Sequence, residues 1–183
     1  MQLTTRRLTI RPWRREDIPA FARLNADPEV RRYYYPAVLT QAQSDKVVEQ
    51  CTRHLNDHGF AFLAVERRSD GVFIGGAGLS WTSDLPGGPA VEIGWILERQ
   101  FWRQGYASEV SRACLAHGWS IGLDQIVGYT SAINHPSREL MKALGMSRNP
   151  ADDFLDPTVP PDNPLSPHVL YRIHNPQQAR SVD

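Results

Sequence analysis

Apolar positions along the chain switch between a helical period and an alternating period, and these switches predict where helices and strands lie. Helices are predicted at residues 16–24, in a short segment from residue 27, from residue 40 to about residue 58, at 105–121 and at 136–144. Strands are predicted at residues 8–11, 60–66, 72–81, 90–97, 125–131 and 168–173. Early strands followed by strand–helix–strand–helix–strand indicate a mixed α/β sheet.

Capping residues support several of these helix boundaries. Asp27 followed by Pro28 has the order of an N-cap and a first helical turn, and Thr40 is an N-cap for the long helix after it. Gly145 follows the last helical pattern as a C-terminal cap. These residues predict a second short helix from Asp27 in addition to the four longer ones.

The prolines are concentrated near the end of the chain. Seven of the fourteen lie between Pro150 and Pro176, and that density excludes an α-helix and a central strand there. The segment is predicted to be a long loop before the last strand, and loops of that length are usually functional or disordered. With 183 residues, the chain is expected to form one domain over residues 1–176 with a tail at 177–183.

Charge and composition exclude several classes of function. Twenty Lys and Arg residues balance twenty Asp and Glu residues, so a broad basic surface for nucleic acid or membranes is not expected. The sequence has no apolar run near the roughly 20 residues of a membrane span, and its first residues lack the apolar region of a signal peptide. Cys51 and Cys114 give no zinc or disulfide framework. A cytoplasmic protein without a metal site is expected.

A strand that runs through a short loop into a helix gives the first candidate site. The predicted strand ends at Leu97, and the helix begins at Gly105 with Ala107 and Ser108 in its first turn. The first amides of a helix have no partner within it and favour an anion such as phosphate, without net positive charge on the protein. The plain alternative is a glycine that only begins a helix.

A second polar pair stands at the next helix start. Asn134 and Ser137 are three residues apart, so both can face the same side of that helix start. Asn134 is also a good N-cap with Pro136 in the first turn, and capping alone would explain it.

Together these segments resemble the GNAT superfamily of acetyl-CoA-dependent N-acetyltransferases, and most of all its branch of ribosomal-protein-alanine (RimJ/RimL-type) enzymes. The resemblance covers residues 3–173 and is carried by residues 8–12, 27–30, 91–97, 102–108 and 134–146. The superfamily's pyrophosphate motif, Gln/Arg-x-x-Gly-x-Gly/Ala, matches at Gly105 and Ala107. The chain departs from it with Trp102 at the first position, and Arg103 replaces a glycine common in the branch. Arg103 either contacts the phosphates or stiffens the loop.

The resemblance implies a fold and a co-substrate. The fold would be α/β (α+β), with a mixed, largely antiparallel twisted sheet of six to seven strands, helices on both faces, and a V-shaped splay between strands 90–97 and 125–131. Acetyl-CoA would lie in that splay, with its pantetheine arm along the strand backbone and at Asn134 and its pyrophosphate on the helix-start amides. The residues implied for cofactor binding are Ile93, Trp95, Ile96, Leu97, Trp102, Arg103, Gln104, Gly105, Tyr106, Ala107, Ser108 and Asn134.

The implied reaction is direct attack of a neutral amine on the thioester, which requires a base because amines are mostly protonated at neutral pH. Glu92 is the candidate base, since apolar neighbours would raise its pKa, although an exposed or arginine-paired carboxylate is the alternative. Ser137 is the candidate acid for the leaving thiolate, and Tyr171 is the second candidate. His168 and Tyr171 lie an odd number of residues apart and therefore face opposite sides of a strand.

The acceptor site is expected from the irregular segments. Tyr33, Tyr34, Trp81 and His168 are the candidate substrate contacts, together with the proline-rich loop. The acceptor would be a protein N-terminus or a small-molecule amine, and the enzyme a monomer or homodimer. The competing interpretations are a non-catalytic acyl-CoA-binding or interaction module on the same fold and a scaffold without CoA affinity.

Overall fold

In the computed structural model, one mixed sheet extends from residue 3 to residue 174, and the structure describes residues 1–83 and 85–176. The strands are β1 (Leu3–Thr4), β2 (Leu8–Arg11), β3 (Phe62–Arg67), β4 (Val72–Thr82), β5 (Ala90–Leu97), β6 (Gln125–Ser131), β7 (Ser147–Arg148), β8 (Phe154–Leu155) and β9 (Pro167–His174). The α-helices are α1 (Asp17–Ala26), α2 (Gln41–His58), α3 (Tyr106–Ser120) and α4 (His135–Ala143). Short 3₁₀ helices lie at Arg99–Phe101 and Pro150–Asp152.

The strand order is β1-β2-β3-β4-β5-β6-β9-β7, and β8 pairs with β9. Every pairing among these strands is antiparallel except that of β5 with β6, which is parallel. β5 and β6 share a single ladder pair, Glu92 with Val127, whereas β4 and β5 pair over eight residues. The predicted sheet and its splay are therefore confirmed, with six long strands and three two-residue strands.

Helices cover both faces of the sheet. On one face, Phe21 of α1 and Val48 of α2 pack with Phe62 of β3 and neighbouring apolar side chains. On the other face, Val110 and Cys114 of α3 are fully buried in the main cluster.

The capping predictions hold at the long helices. Thr40 and Gln43 form a reciprocal capping box at the start of α2, and Gly59 ends that helix with a left-handed φ of 77°. Gly105 precedes α3 with φ 79°, and Gly145 follows α4 with φ 87°. A positive φ is costly for residues with a Cβ atom, which explains glycine at these ends.

The short helix predicted from Asp27 is wrong. The Asp27 side chain does accept from the Glu29 amide at 2.8 Å, as an N-cap would, but residues 28–33 form turns. Three tyrosines with poor helix propensity follow, and the residue before Pro36 is excluded from helical geometry by the proline ring. The segment instead brings its tyrosines to the gap in the sheet.

The proline-rich segment is a loop that is fastened at both ends. Asp156 and Ser166 are joined by a backbone hydrogen bond of 2.9 Å, and Val159 is buried. The segment contains one 3₁₀ turn and the two-residue edge strand β8, both compatible with proline. The predicted tail at 177–183 lies outside the described residues, and the single-domain assignment stays a prediction.

Candidate functional site

A cavity of about 260 Å³ lies where β5 and β6 separate. Its walls come from the turn after α1, from β5 and β6, from the start of α4, and from the proline-rich loop with β9. The predicted residues that line it are Tyr33, Tyr34, Glu92, Ile93, Trp95, Asn134, Ser137 and His168. Tyr35 and Gly94, next to predicted residues, also line it. The lining residues that the sequence did not single out are Tyr129, Thr130, Met141, Asp156, Val159 and Leu165.

Glu92 is the carboxylate at the centre of this cavity. It lies at the one ladder pair between β5 and β6, and its Oε2 is buried without a hydrogen-bond partner. Burial raises the pKa of Glu92, and a hydrogen bond from Tyr129 acts in the opposite direction. In the part of the chain that the structure describes, no arginine pairs with Glu92. Glu92 is therefore neither an exposed carboxylate nor an arginine-paired one.

Tyr129 connects Glu92 to a second hydroxyl. Burial raises the pKa of Tyr129, and the charge of Glu92 and the hydrogen bond between the two raise it further. The Thr82 hydroxyl, at the end of β4, acts on the pKa of Tyr129 in the opposite direction. The Tyr129 side chain therefore lies beside both Glu92 and Thr82.

The start of α4 presents Ser137 to the cavity. The Asn134 side-chain oxygen accepts from the Ser137 amide at 3.3 Å, as an N-cap does. Its amide nitrogen donates to Thr130 Oγ1 at 2.8 Å and to Ser137 Oγ at 3.1 Å. Asn134 therefore caps the helix and also fixes the direction of the Ser137 hydroxyl.

The turn before α3 has the geometry of an anion site. Arg103 has φ 58° and Gly105 has φ 79°, so the chain reverses sharply before the first free amides of the helix. Trp102 Nε1 donates to the Leu97 carbonyl oxygen at 2.7 Å, which fastens the loop to the end of β5. The Tyr106 side chain is buried in the core, so only its backbone faces this turn.

Arg7 also holds this turn, although it belongs to none of the motifs that the sequence analysis identified. Its Nη1 donates to the Gln104 carbonyl oxygen at 2.9 Å, and its Nε pairs with Glu109 at 2.7 Å. The guanidinium carbon lies 4.4 Å from the ring centroid of Tyr106. A residue in the bend just before β2 thus fixes a loop about a hundred positions later.

The comparisons with known proteins agree with this geometry. Residues 7–147 match the family described as acetyltransferase (GNAT) domain. The chain belongs to the GNAT acetyltransferase family. It is 28% identical over 174 residues to the uncharacterised N-acetyltransferase YnaD of Bacillus subtilis, covering 94% of this chain and 96% of YnaD. It is 31% identical over 149 residues to the uncharacterised N-acetyltransferase p20 of Bacillus licheniformis, covering 80% and 82%.

Solved structures share the fold across nearly the whole acetyltransferase. An acetyltransferase from Agrobacterium tumefaciens superposes with a TM-score of 0.76 at 25% identity, over 95% of this chain and 94% of that one. Spermidine N-acetyltransferase from Vibrio cholerae, in complex with CoA and spermine, gives 0.71 at 16% identity over 92% and 95%. Ribosomal-protein-S5-alanine acetyltransferase from Vibrio fischeri gives 0.72 at 14% identity over 96% and 97%. Family membership and the named relatives make this chain an acetyl-CoA-dependent N-acetyltransferase.

Two residues that were predicted for substrate contact or catalysis in the acetyltransferase lie outside the cavity lining. Trp81 pairs with Val91 across β4 and β5, so it faces the opposite side of the sheet from Glu92, and it is 47% exposed. Tyr171 is 2% exposed in the main core, on the opposite face of β9 from His168. Neither Trp81 nor Tyr171 lines the cavity, and their predicted roles as substrate contact and acid stay predictions.

His168 is the member of that pair that reaches the cavity. Its Nδ1 lies 3.0 Å from the carbonyl oxygen of Ser166, and its Nε2 lies 3.6 Å from Oδ2 of Asp156. Asp156 belongs to the proline-rich loop, whose path could not be read from periodicity. The negative charge that Asp156 brings to this wall could therefore not be predicted from the sequence pattern.

Metal-ligating clusters, reactive thiols and membrane-spanning helices were looked for among the described residues. These residues contain no group of three or more His, Cys, Asp and Glu side chains placed to hold a metal ion. Burial raises the pKa of Cys51 to about 11 and that of Cys114 to about 12, so both thiols are protonated at neutral pH. No helix within the described ranges is long and apolar enough to cross a membrane.

Proposed function

We propose that this acetyltransferase moves the acetyl group of acetyl-CoA directly to a primary amine within a ternary complex, with Glu92 as the general base. The observation that carries the proposal is the buried, unpartnered Oε2 of Glu92 in the cavity at the splay. A carboxylate whose pKa is raised by burial is a better base at neutral pH than an exposed one. An acceptor nitrogen in the cavity would supply the missing hydrogen-bond partner.

Groups of this chain fit acetyl-CoA in three places. β5 continues past its single ladder pair with β6, which leaves backbone for β-like pairing with the pantetheine arm along Ile93, Trp95, Ile96 and Leu97. The turn before α3 offers its amides to the pyrophosphate. The residues proposed there are Trp102, Arg103, Gln104, Gly105, Tyr106, Ala107 and Ser108. Asn134, whose side chain caps α4, is proposed to border the pantetheine.

The substrate ammonium loses two protons in the proposed reaction, and each has a defined acceptor. Glu92 removes one proton from the substrate ammonium, and the free amine attacks the thioester carbonyl carbon to form the C–N bond. A β5 amide near Ile93 stabilises the oxyanion. The C–S bond then breaks, and the second amine proton passes to the CoA thiolate with Ser137 as its hydrogen-bonding partner. The products are the amide, CoA thiol and a proton that Glu92 returns to solvent.

A screen of amines and peptide N-termini with a free-thiol readout tests this function. Glu92→Gln and Ser137→Ala are expected to lower kcat for the best acceptor, the first by at least about a hundredfold. Glu98→Gln is a matched control, since its carboxylate lies just beyond β5 and outside the cavity lining. Unchanged turnover in both site variants would refute the acid–base roles, and absence of acetyl-CoA binding by calorimetry would refute the whole proposal.

Two classes of acceptor are proposed, small amines and protein N-termini. Fold neighbours named for spermidine and for a ribosomal protein indicate that this fold serves both small amines and protein N-termini. A cytoplasmic location, a monomeric or homodimeric state and the lack of nucleic acid among the partners stay predictions from the sequence.

A further inference from the structure

The end of the cavity formed by the proline-rich loop carries two hydrogen-bond acceptors that face each other. A carbonyl oxygen only accepts, so the 3.0 Å contact with Ser166 assigns the proton of neutral His168 to Nδ1. Nε2 then presents its lone pair toward Oδ2 of Asp156, 3.6 Å away. Two acceptors at that distance are not hydrogen-bonded to each other, and a donor that reaches both would join them.

Asp156 is held in place for such a role. Its other oxygen, Oδ1, accepts from the Thr158 amide at 2.8 Å and from the Thr158 hydroxyl at 2.7 Å. Its backbone amide donates to the Ser166 carbonyl oxygen at 2.9 Å. Oδ2 is thus oriented toward His168 and the cavity by contacts that do not involve Oδ2 itself.

The charge of the cavity is one-sided. Of the described residues that line it, none is a lysine or an arginine, and two are the carboxylates Glu92 and Asp156. Arg31, the nearby cation beneath Tyr34, is directed to Asn25 Oδ1 at 3.1 Å and to the Pro36 carbonyl oxygen at 3.0 Å. An acceptor with a carboxylate beside its amine would meet repulsion here, whereas a second positive charge would meet attraction.

The two carboxylates belong to different walls, and Tyr129 lies near both of them. The Tyr129 ring centroid is 6.1 Å from that of His168, which faces Asp156. Tyr33, Tyr34 and Tyr129 line the space with aromatic surface that suits an alkyl chain or an ammonium group. The Oε2 of Glu92 is buried without a donor. Nε2 of His168 and Oδ2 of Asp156 lie 3.6 Å apart on side chains that remain partly exposed.

We propose that the acceptor is a small amine with two cationic nitrogens, whose second ammonium binds between Asp156 and His168 while the first is acetylated beside Glu92. This inference rests on the proposed function and specifies its substrate class. An ammonium group has three N–H donors, so it satisfies Oδ2 and Nε2 together and balances the carboxylate charge. Asp156 and His168 are then specificity-determining residues.

Matched acceptors test the proposal with the full-length protein and saturating acetyl-CoA. The series consists of linear aliphatic diamines of increasing length, each beside the monoamine in which a methyl group replaces the second amine. We expect the diamine of best length to exceed its monoamine at least about tenfold in kcat/KM, the effect of one charged hydrogen bond. Equal kcat/KM values throughout the series, with measurable turnover, would overturn the inference and leave the proposed function standing.

The Asp156→Asn variant tests whether Asp156 causes the preference for a diamine over its monoamine. Asparagine keeps Oδ1 for the Thr158 contacts but loses the charge, so the diamine-to-monoamine ratio is expected to fall toward one. Asp162→Asn is the matched control in the same loop, because Asp162 is exposed and outside the cavity lining, and it keeps the wild-type ratio. A ratio that survives Asp156→Asn would refute the site, and if that variant does not fold, the wild-type series decides alone. Absence of turnover with every amine would instead count against the proposed function.

Discussion

Arg103 occupies a backbone conformation that favours glycine, and its replacement gives a prediction with a definite sign. Its φ of 58° is the only positive value at a non-glycine position in the described part of the chain. This positive φ explains why the RimJ/RimL-type branch commonly has glycine at this position. A left-handed conformation costs a residue with a Cβ atom about 1–2 kcal/mol.

The expected gain in stability from Arg103→Gly is smaller than this cost. Glycine adds conformational entropy to the unfolded chain, which subtracts about 0.5–1 kcal/mol. The free energy of unfolding should therefore rise by about 0.5–1 kcal/mol. In a domain of this size that is about 1–4 °C in Tm.

Thermal unfolding with and without acetyl-CoA measures the change in stability of Arg103→Gly. Arg99→Gly is the matched control, because Arg99 is exposed and has an ordinary negative φ, and it should lower Tm. Equal destabilisation by both substitutions would refute the argument from backbone strain. The KM for acetyl-CoA separates the two roles considered for Arg103: a rise that weakens with added salt assigns a phosphate contact, and an unchanged KM assigns a role in loop stiffness.

Three further variants test contacts around the site. Tyr129→Phe removes the hydrogen bond to Glu92 and should lower kcat at neutral pH by about tenfold while moving the kinetic pKa of the base upward, whereas Tyr171→Phe, on the opposite face, should leave the pH–rate profile unchanged. Equal effects of the two would contradict the assignment. Burial raises the pKa of Glu109, but hydrogen bonds from Thr5 and Arg7 lower it overall, so its stabilisation is present above the unfolded pKa and lost as pH falls through the folded one. Glu109→Gln should therefore cost about 1–2 kcal/mol at pH 7 and almost nothing in acid, as followed by urea unfolding.

The sequence predicted those parts of the fold that depend on local pattern. Ala90–Leu97 and Gln125–Ser131 were located from alternation, and Thr40 and Gly145 from capping chemistry. Glu92 followed from its place in the strand sequence together with the family resemblance. These features need only neighbours within a few residues, so the chain itself contains the information.

What the sequence could not predict depends on pairings between distant segments. Trp81 faces away from Glu92 because its register pairs it with Val91, and periodicity within one strand does not reveal that register. Tyr129 reaches Glu92 only because β6 lies beside β5 in the sheet. Asp156 meets His168 because backbone hydrogen bonds fold the proline-rich loop onto β9. The charge of the acceptor side therefore emerged only from the three-dimensional structure.

Whether Glu92 is the general base is decided by the pH dependence of kcat for wild type and Glu92→Gln. With a saturating acceptor amine, the wild-type profile should rise through a limb set by Glu92, above the usual pKa of a glutamate because the group is buried. Glu92→Gln should lose that limb and about a hundredfold or more of its rate, while Glu98→Gln keeps both. A Glu92→Gln enzyme with the same limb and a rate within a few-fold of wild type would contradict the account.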